Sequence, residues 1–409
     1  MDALAELARE HAPRVLGVLT ARFGDLDLAD DAVQDALVEA VRRWPTDGAP
    51  PNPPAWLMTV AQRKAVDHLR RAASAQRRAL AAAPELIERG EPAAARGLVD
   101  EQNDVPDERL RLILLTCHPA LGRDTQVALT LRLVAGLTVD EIAAGLLVPA
   151  ATVAGRVVRA KRKIRLAGVP LSVPSDLTRR LPEVLAVIYL VFNAGYLGHG
   201  PDEAVRIDLA DEAVRLARLL HRLLPTETEV AGLLALVLYH RSRFDARLDA
   251  AGDLVLLDDQ DRTSWDRAAI AEADRVLDDA IARMQPGVYQ LQALIAGRHA
   301  HARTAQETDW PTVAALYGHL VAMTGSPVVR LNQAVAVAMA EGAAAGLAMV
   351  EALDGLDDYH LWHATRADLL RRTGRTADAL PAYRRAADLT VNPAERRFLA
   401  ARIRELESL

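Results

Sequence analysis

A short helix followed by a proline and a strongly basic segment is the feature that most constrains the fold of this chain. Thr138 and Glu141 have the spacing of a capping box, which starts a helix. Pro149 suits the first turn of a second helix, where its missing N–H costs nothing. A short helix, a tight turn and a basic second helix predict a helix-turn-helix, whose second helix enters the major groove of DNA.

The second helix separates its apolar and basic side chains. Val153, Val157 and Ile164 fall on one face, so we expect that face to pack. A solvated, charged helix of any helical protein is the alternative, because basic residues also suit the negative end of the helix dipole. This segment alone does not separate the two interpretations. The basic residues, on another face or beside it, are Arg156, Arg159, Lys161, Arg162, Lys163 and Arg165.

Charge is unevenly distributed along the 409 residues, whose net charge is −6. Residues 1–170 carry 23 Lys and Arg against 22 Asp and Glu, whereas the remainder carries 26 against 33. The positive charge of the first part is therefore local to particular helices. This pattern suits a protein that touches both nucleic acid and a protein partner. The length of the chain predicts two or three domains.

Composition favours a reducing, cytoplasmic setting. Cys117 is the single cysteine, so no internal disulfide is possible, and its apolar surroundings predict a buried side chain rather than a nucleophile. The acidic opening residues predict no signal peptide, and no apolar run reaches the roughly 18 residues that span a membrane. The apolar run from Val184 to Phe192 is therefore interpreted as a buried helix.

Periodicity and Pro/Gly breaks predict an all-α fold without any sustained strand pattern. Aromatic residues make up only 4% of the chain, which favours helices packed through small and aliphatic side chains. The segment after the first helical domain is poor in large apolar residues, which is typical of a flexible linker. The predicted parts are a helical domain at 1–71, the linker at 72–106, the helix-turn-helix domain at 107–170 and a helical C-terminal region at 174–409.

Individual helices are predicted from the same signals. Pro45 is expected to stop the second helix, and a Pro-rich loop opens the third. The predicted helices of the first two domains are 3–23, 28–44, 55–71 and 108–117, followed by the helix-turn-helix. The predicted apolar stripe of the second helix consists of Val33, Leu37, Ala40, Val41 and Trp44. The residues of the third helix expected to point inward are Leu57, Val60, Ala61, Ala65 and Leu69.

The end of the chain contains a repeat-like unit. Helices predicted at 361–370 and 377–389 are separated by a Gly-containing break. Ala379, Tyr383 and Ala386 are spaced to face the preceding helix. The period and the small and aromatic positions resemble a tetratricopeptide repeat (TPR), whose stacked helices offer a concave surface.

Two segments of the first domain carry a resemblance to a known family. The segments Leu28–Pro45 and Pro54–Arg71 resemble the sigma-two domain of extracytoplasmic-function (ECF) sigma factors of the sigma-70 family, and the helix-turn-helix resembles their sigma-four domain. The domain order, the linker length and the absence of an intervening third domain also fit. The C-terminal region, with Gly195-Tyr-Leu-Gly, the segment Asp259–Asp266 and the terminal repeat, resembles the bacterial subgroup with a TPR-like extension.

The resemblance implies two surfaces in the first domain. An acidic face on the second helix would dock on the β′ coiled coil of core RNA polymerase, and its residues are Asp30, Asp31, Gln34 and Asp35. The alternative is a solvated acidic face. The third helix would capture the −10 element of promoter DNA, and its outward residues are Trp56, Arg63, Lys64, Arg70 and Arg71. Intrahelical pairing of the basic residues with Asp67 is the alternative for that helix.

The resemblance also implies that the sigma-four domain contacts the β flap of polymerase and the −35 element. Arg156 and Arg159 are the best candidates for contacts with guanine or phosphate. Ala154 and Gly155 depart from the polar residues that the family often has there, which puts base readout near the helix start in doubt. The remaining −35 candidates, expected mainly to grip phosphate, are Thr152, Lys161, Arg162 and Lys163.

The sequence alone does not decide between two roles for the C-terminal region. Thr263 or Ser264 could cap a helix that starts at Trp265, which would be a purely structural role. The acidic extension could instead regulate the factor in cis, by screening the basic helices or by binding a regulatory protein or ligand.

An enzyme and a repressor are the rival classes. His299 and His301 are two residues apart, so on a helix they point to different faces, whereas His360 and His363 share a face but lack a third ligand. No metal, cofactor or catalytic residue is therefore predicted. A DNA-binding TPR-type regulator independent of polymerase is the other rival. The acidic face on the second helix separates this rival from a sigma factor, because a repressor has no need of polymerase.

Overall fold

A computed structural model of the chain describes residues 2–82, 108–146, 148–166, 177–196, 203–247, 249, 255–390 and 393–408. Within these ranges the regular structure consists of eighteen α-helices and three short 3₁₀ helices, and no strand is present. The predicted all-α fold is confirmed. Contacts divide the chain into two compact units, residues 1–191 and residues 192–409.

Unit 1 contains seven complete helices. The eighth, α8 (Leu177–Tyr196), crosses the boundary between the units. The seven are α1 (Asp2–Phe23), α2 (Leu26–Asp47), α3 (Pro53–Ala82), α4 (Glu108–Thr116), α5 (Arg123–Leu133), α6 (Val139–Leu146) and α7 (Ala150–Leu166).

Both ends of α2 differ from the prediction. Asp25 caps its start, because the Asp25 carboxylate accepts hydrogen bonds from the backbone N–H groups of Asp27 (2.9 Å) and Leu28 (3.1 Å). Pro45 does not stop the helix, which was predicted to end at Trp44. A proline in the last turn removes a single intrahelical hydrogen bond, and the helix ends only at Gly48, where φ is +79°.

Helices α1, α2 and α3 pack together through small and aliphatic side chains. The inward positions predicted for α3 are buried, but Leu69, which was expected to point inward, is 45% exposed. The helix runs on through Ala82, so the segment predicted as a linker begins inside a helix, and residues 83–107 lie outside the described residues. The confirmed inward residues of α3 are Leu57, Val60, Ala61 and Ala65.

The predicted capping box of α6 is confirmed. The backbone N–H of Thr138 donates to the Glu141 carboxylate (2.7 Å), and the backbone N–H of Glu141 donates to the Thr138 hydroxyl (3.2 Å). The turn before α6 is made by Gly136, which has φ +74°. Pro149 immediately precedes α7, and its carbonyl oxygen accepts a bond from Val153 N–H.

Helix α5 was not predicted as a separate element. After its exposed first turn, the residues from Gln126 to Leu131 are all buried, including the polar Gln126 and Thr130. A helix that is buried on all sides shows no apolar stripe, so its period is invisible in the sequence. Cys117, at the end of α4, is buried beside Thr130, and this burial raises the pKa of its thiol to about 11.

The apolar run Val184–Phe192 lies inside α8, as predicted. Most of its side chains are buried, among them Val187 and Ile188. None of the helices within the described ranges is both long enough and apolar enough to cross a membrane.

Unit 2 consists of paired helices in sequence. Helices α14, α16 and α18 begin at Pro327, His360 and Pro393, which are 33 residues apart in each case. The complete helices are α9 (Glu203–Leu223), α10 (Thr228–Ser242), α11 (Arg267–Ile281), α12 (Val288–His301), α13 (Trp310–Thr324), α14 (Pro327–Ala340), α15 (Ala343–Glu351), α16 (His360–Arg372), α17 (Thr376–Leu389) and α18 (Pro393–Glu407).

The repeat-like unit predicted at the end of the chain is formed by α16 and α17, which pack against each other. Ala379, Tyr383 and Ala386 are no more than 2% exposed, and all three belong to the apolar core that also contains Ala367 and Leu370 of α16. Their predicted inward orientation is confirmed.

The segment before α11 is held by acidic caps rather than by the predicted hydroxyl groups. Asp266 caps α11 by accepting bonds from the backbone N–H groups of Ala268 (2.9 Å) and Ala269 (3.0 Å). The prediction that Thr263 or Ser264 caps a helix starting at Trp265 is therefore wrong. Those hydroxyl groups instead bond to Asp261 in a 3₁₀ turn, which leaves the next acidic residue to cap the helix.

Close packing of α10 on α12 depends on Gly232. A Cβ at this position would lie 2.6 Å from the backbone nitrogen of Gln290, a distance that real Cβ atoms do not show. We expect Gly232→Ala to destabilise unit 2 by about 1–3 kcal/mol, because the two helix backbones must separate.

Hydrogen–deuterium exchange of peptides from α10 and α12 of the full-length protein measures this effect. Gly318→Ala in α13 is the matched control, because the nearest atom to its Cβ would be the flexible amide nitrogen of Gln333 at 3.3 Å. It should be neutral or stabilising by up to about 1 kcal/mol. Equal exchange rates in the two variants would contradict the prediction.

Candidate nucleic-acid and protein interface

Helix α7 is fixed by an apolar face. Val153, Val157, Ala160 and Ile164 are buried, and the helix packs against α5 and α6. The apolar face predicted from the sequence is confirmed. This packing determines which basic side chains of α7 face away from the body of the domain.

The six basic side chains of α7 fall into two groups. Four of them contact other parts of unit 1. Arg156 Nη2 lies 2.8 Å from Asp124 Oδ2, and Lys163 donates to the carbonyl oxygen of Ala120. Lys161 and Arg165 contact acidic residues of α2. The two that make neither an ion pair nor a side-chain hydrogen bond within the described ranges, both exposed, are Arg159 and Arg162.

Gly155 affects the position of Arg159. A Cβ at residue 155 would lie 3.0 Å from Nη1 of Arg159, so the guanidinium group folds over the glycine on the helix surface. Thr152 lies one turn before Arg156 and is half-buried. Gly155, where the family often has a polar residue, therefore leaves space for the guanidinium group of Arg159, one of the two best candidates for −35 contacts.

The predicted acidic face of α2 is only partly open. Asp31 is exposed, whereas Asp30 is 8% exposed because Lys161 of α7 covers it. Gln34 and Asp35 are half-buried, and Asp35 Oδ2 lies 3.0 Å from Nε2 of His68 on α3. The prediction that the four residues share one exposed face is therefore wrong for Asp30.

Two exposed apolar residues extend this face, and the sequence reasoning missed them. Val38 and Val41 are 47% and 54% exposed. Val41 was placed in the apolar stripe of α2, whereas the structure turns it to solvent. Val38 lies one turn beyond Gln34 and Asp35, so acidic and apolar side chains form a continuous strip that a protein partner could cover.

Glu39 of α2 forms ion pairs with two basic residues of α3 that were predicted to contact the −10 element. Its carboxylate lies 2.8 Å from Lys64 Nζ, 3.0 Å from Arg63 Nη2 and 3.2 Å from Arg43 Nη2. The hydrogen bond from Lys64, together with the charges of Lys64, Arg43 and Arg63, lowers the pKa of Glu39. Arg63 and Lys64 therefore pair across helices and not with Asp67, as the alternative had suggested.

The other residues predicted for the −10 element lie along α3. Trp56 is half-buried and packs edge-on against Trp44 of α2, with ring centroids 5.4 Å apart. Arg70 Nη1 lies 3.8 Å from an Asp67 carboxylate oxygen, and Arg71 donates to the Asp67 carbonyl oxygen at 3.3 Å. Both arginine side chains are exposed, and such long contacts leave them free to bind an anionic ligand.

Three of the four histidines considered as metal ligands, His301, His360 and His363, lie against an oxygen atom of another residue. His301 Nε2 lies 2.8 Å from Asp274, and His360 Nε2 lies 3.1 Å from Glu395. Desolvation lowers the pKa of His299 to about 4. Within the described part of the chain, no group of three or more His, Cys, Asp or Glu side chains is arranged to hold a metal ion.

Comparison with known families assigns three parts of the chain. Residues 7–75 match the model described as Sigma-70 region 2, and residues 111–164 match Sigma-70, region 4. Residues 180–281 match a family of unknown function, DUF6596. The first two matches correspond to the helices α1–α3 and α4–α7.

One relative matches nearly the whole of this chain. Over 399 residues the chain is 42% identical to an uncharacterized protein of Rhizobium meliloti (strain 1021), and the match covers 96% of this chain and 93% of that protein. No solved structure matches the chain.

The pKa of Glu39 predicts a pH-dependent contribution to stability. Because pairing lowers this pKa below the value of the unfolded chain, the stabilisation is present above about pH 4.5 and is lost as the pH falls through the folded-state pKa. We expect Glu39→Gln to lower the free energy of unfolding by about 1 kcal/mol at pH 7. The difference from wild type should shrink at pH 4.

Thermal unfolding of the two proteins at both pH values measures this difference. Asp47→Asn is the matched control, because Asp47 is an exposed carboxylate at the end of the same helix and makes no ion pair within the described ranges. A Glu39→Gln effect that persists unchanged at pH 4 would contradict the prediction.

Proposed function

The chain belongs to the sigma-70 family, and on that premise we propose that it is an ECF-type sigma factor that directs promoter-specific initiation by bacterial RNA polymerase. One observation carries the proposal: the region 2 and region 4 matches fall on two helical bodies with different surfaces. The first combines an acidic strip and an arginine-rich helix, and the second presents a basic recognition helix. Two bodies with such surfaces suit a protein that binds a protein partner and DNA and performs no catalysis.

Helix α7 would lie in the major groove at the −35 element. Arg159 and Arg162 are exposed and make no ion pair within the described ranges, so they are available to bases or phosphates without breaking a contact. Arg156 would have to exchange its contact with Asp124 for DNA. Lys161 and Lys163 would grip phosphate and position the helix.

Helix α3 would meet the −10 element. Arg70 and Arg71 are exposed and weakly held, which suits phosphate contacts. Trp56, edge-on to Trp44, offers part of an aromatic surface on which an unstacked base could lie. Arg63 and Lys64 would contact DNA either while they remain paired with Glu39 or after these ion pairs break.

The strip on α2 would dock on the β′ coiled coil of the polymerase core. Asp31 supplies an open charge, and Val38 and Val41 supply apolar contact area next to it. A strip that combines charge with exposed apolar groups fits a protein partner better than a nucleic acid, because carboxylates repel phosphate. The sigma-four body would contact the β flap.

The C-terminal helices would modulate this activity. The remainder of the chain after residue 170 carries a net charge of −7, and its helix pairs repeat every 33 residues at the end, as in TPR-like arrays. We infer that this extension screens the basic helices or binds a regulatory protein or ligand.

Reconstituted transcription with bacterial core RNA polymerase and the DNA upstream of the gene tests the proposal. We expect specific initiation by the wild type, loss of core binding in Asp31→Arg, and weaker promoter binding in Arg159→Ala by about 1–3 kcal/mol. If Arg159 contacts a phosphate, its replacement should also reduce the salt dependence of binding by about one unit of slope.

Matched controls are available in unit 2. Asp354→Arg and Arg283→Ala change the same charges at exposed positions far along the chain, and both variants should behave as the wild type. DNA binding without any polymerase binding would overturn the sigma assignment and leave a DNA-binding regulator that is independent of polymerase.

Deletion of the extension tests its regulatory role. Helix α8 must be retained, because Glu183 pairs with Arg123 of α5 at 2.7 Å and the helix begins within unit 1. A chain that ends at residue 202 keeps this helix whole. If the extension screens the basic helices, this variant should bind promoter DNA more tightly at low salt. Unchanged promoter activity would contradict modulation, and lost activity would make the extension a required part.

A further inference from the structure

Buried polar atoms without a hydrogen-bond partner gather where the segment before α11 meets the end of α12. Arg262 is 3% exposed, and no other arginine within the described ranges is buried to this degree. Its Nη1 atom donates to the carbonyl oxygens of His299 (2.9 Å) and Ala302 (3.1 Å), which joins the two segments. Buried polar groups of folded proteins are nearly always paired, so unpaired ones gathered in one place require an explanation. The six buried side-chain atoms here that have no hydrogen-bond partner among the described residues are Gln260 Oε1, Arg262 Nε, Arg262 Nη2, Trp265 Nε1, His299 Nδ1 and Thr308 Oγ1.

The hydrogen bonds of Arg262 leave one edge of its guanidinium group unused. The two N–H groups of Nη1 bind carbonyl oxygens at the end of α12, a structural role that suits a cation at a helix C-terminus. The Trp265 ring covers the group, with its centroid 5.3 Å from Cζ. The N–H of Nε and the adjacent N–H of Nη2 remain, and this pair forms the edge that binds two oxygens of a carboxylate or a phosphate side by side. The structural role therefore accounts for only part of this arginine.

The positive charge of Arg262 is buried without a counter-ion among the described residues. Its hydrogen bonds go to carbonyl oxygens and none goes to a carboxylate. Asp258 is exposed, and Glu307 pairs with Arg303 at 3.1 Å. Desolvation, together with the charge of Arg243, lowers the pKa of Arg262, because a buried charge without a partner is unfavourable. A water molecule would satisfy the two remaining N–H groups, whereas an anion would satisfy them and neutralise the charge as well.

We propose that this cluster is an anion site, which binds the carboxylate or phosphate group of a small molecule on the Nε/Nη2 edge of Arg262. Trp265 Nε1 and the Thr308 hydroxyl are further donors without a partner, and Gln260 Oε1 is an acceptor for a donor group elsewhere on the ligand. The residues on either side of Arg262 are exposed, so the site lies directly beneath the surface of a 3₁₀ turn. A ligand enters when that turn moves.

The anion site gives the C-terminal extension a ligand of defined chemical class, and its use as an input to modulation rests on the proposed function. Arg262 and Trp265 lie within residues 180–281, the part that matches the family of unknown function. Binding of the anion itself requires neither polymerase nor promoter DNA. Failure of the reconstituted transcription would therefore overturn the proposed function, whereas failure of anion binding would overturn this inference alone.

Isothermal titration calorimetry of the full-length protein with inorganic phosphate, and separately with acetate, tests the site at an ionic strength held constant by chloride. We expect saturable binding at one site, by phosphate alone if the ligand group is a phosphate, by acetate alone if it is a carboxylate, and by both if the edge accepts either. Arg262→Lys keeps the charge and removes the two-pronged edge, so it should weaken binding by about tenfold or more. Arg298→Lys is the matched control, because Arg298 is an exposed arginine of the same region and should bind as the wild type does. Absence of binding by both anions, or equal binding by Arg262→Lys and the wild type, would overturn the site.

Hydrogen–deuterium exchange of the wild-type protein locates the bound anion without any substitution. At an anion concentration of about ten times Kd, peptides that cover residues 260–266 and 299–308 should exchange up to about tenfold more slowly, because the anion binds only the folded site. Peptides of α16 and α17 should exchange as they do without the anion. Uniform protection along the chain is the effect expected from exclusion of phosphate from the whole protein surface, and it would overturn the site.

Discussion

The packing of α7 against the buried helix α5 is the constraint on which the surfaces of unit 1 depend. Val153, Val157 and Ile164 fix the rotation of α7, because their burial leaves only one orientation for the helix. That rotation exposes Arg159 and Arg162 and turns Lys161 toward α2. The apolar packing of α7 on α5 thus determines which basic side chains of α7 are exposed to a ligand and which contact an acidic residue.

Helix α2 contacts basic side chains at three places along its length. Its first turns meet α7, Asp35 meets His68, and Glu39 meets Arg63 and Lys64. A single acidic helix therefore connects the residues assigned to polymerase, to the −10 element and to the −35 element. A charge brought to one of these surfaces would change the electrostatic potential at the others, since the carboxylates lie along one helix.

Local signals in the sequence predicted much of this architecture, and long-range contacts account for what it missed. The capping box of α6 and the inward face of α17 depend on residues a few positions apart, so the sequence contains them completely. Helix α5 was not predicted because the continuous burial from Gln126 to Leu131 leaves no apolar stripe in the sequence. The burial of Asp30 was not predicted because Lys161, which covers it, lies 131 residues away in the sequence, and no pattern within α2 reveals that contact.

The glycine at position 155 links two positions of the recognition helix. Any side chain there would meet the guanidinium group of Arg159, which would have to move. The guanidinium group is the flexible end of its side chain, so a substitution at residue 155 shifts it by a few tenths of an ångström and leaves the helix backbone in place. The side chain at residue 155 therefore sets the posture of the exposed Arg159 side chain, one turn further along the same helix.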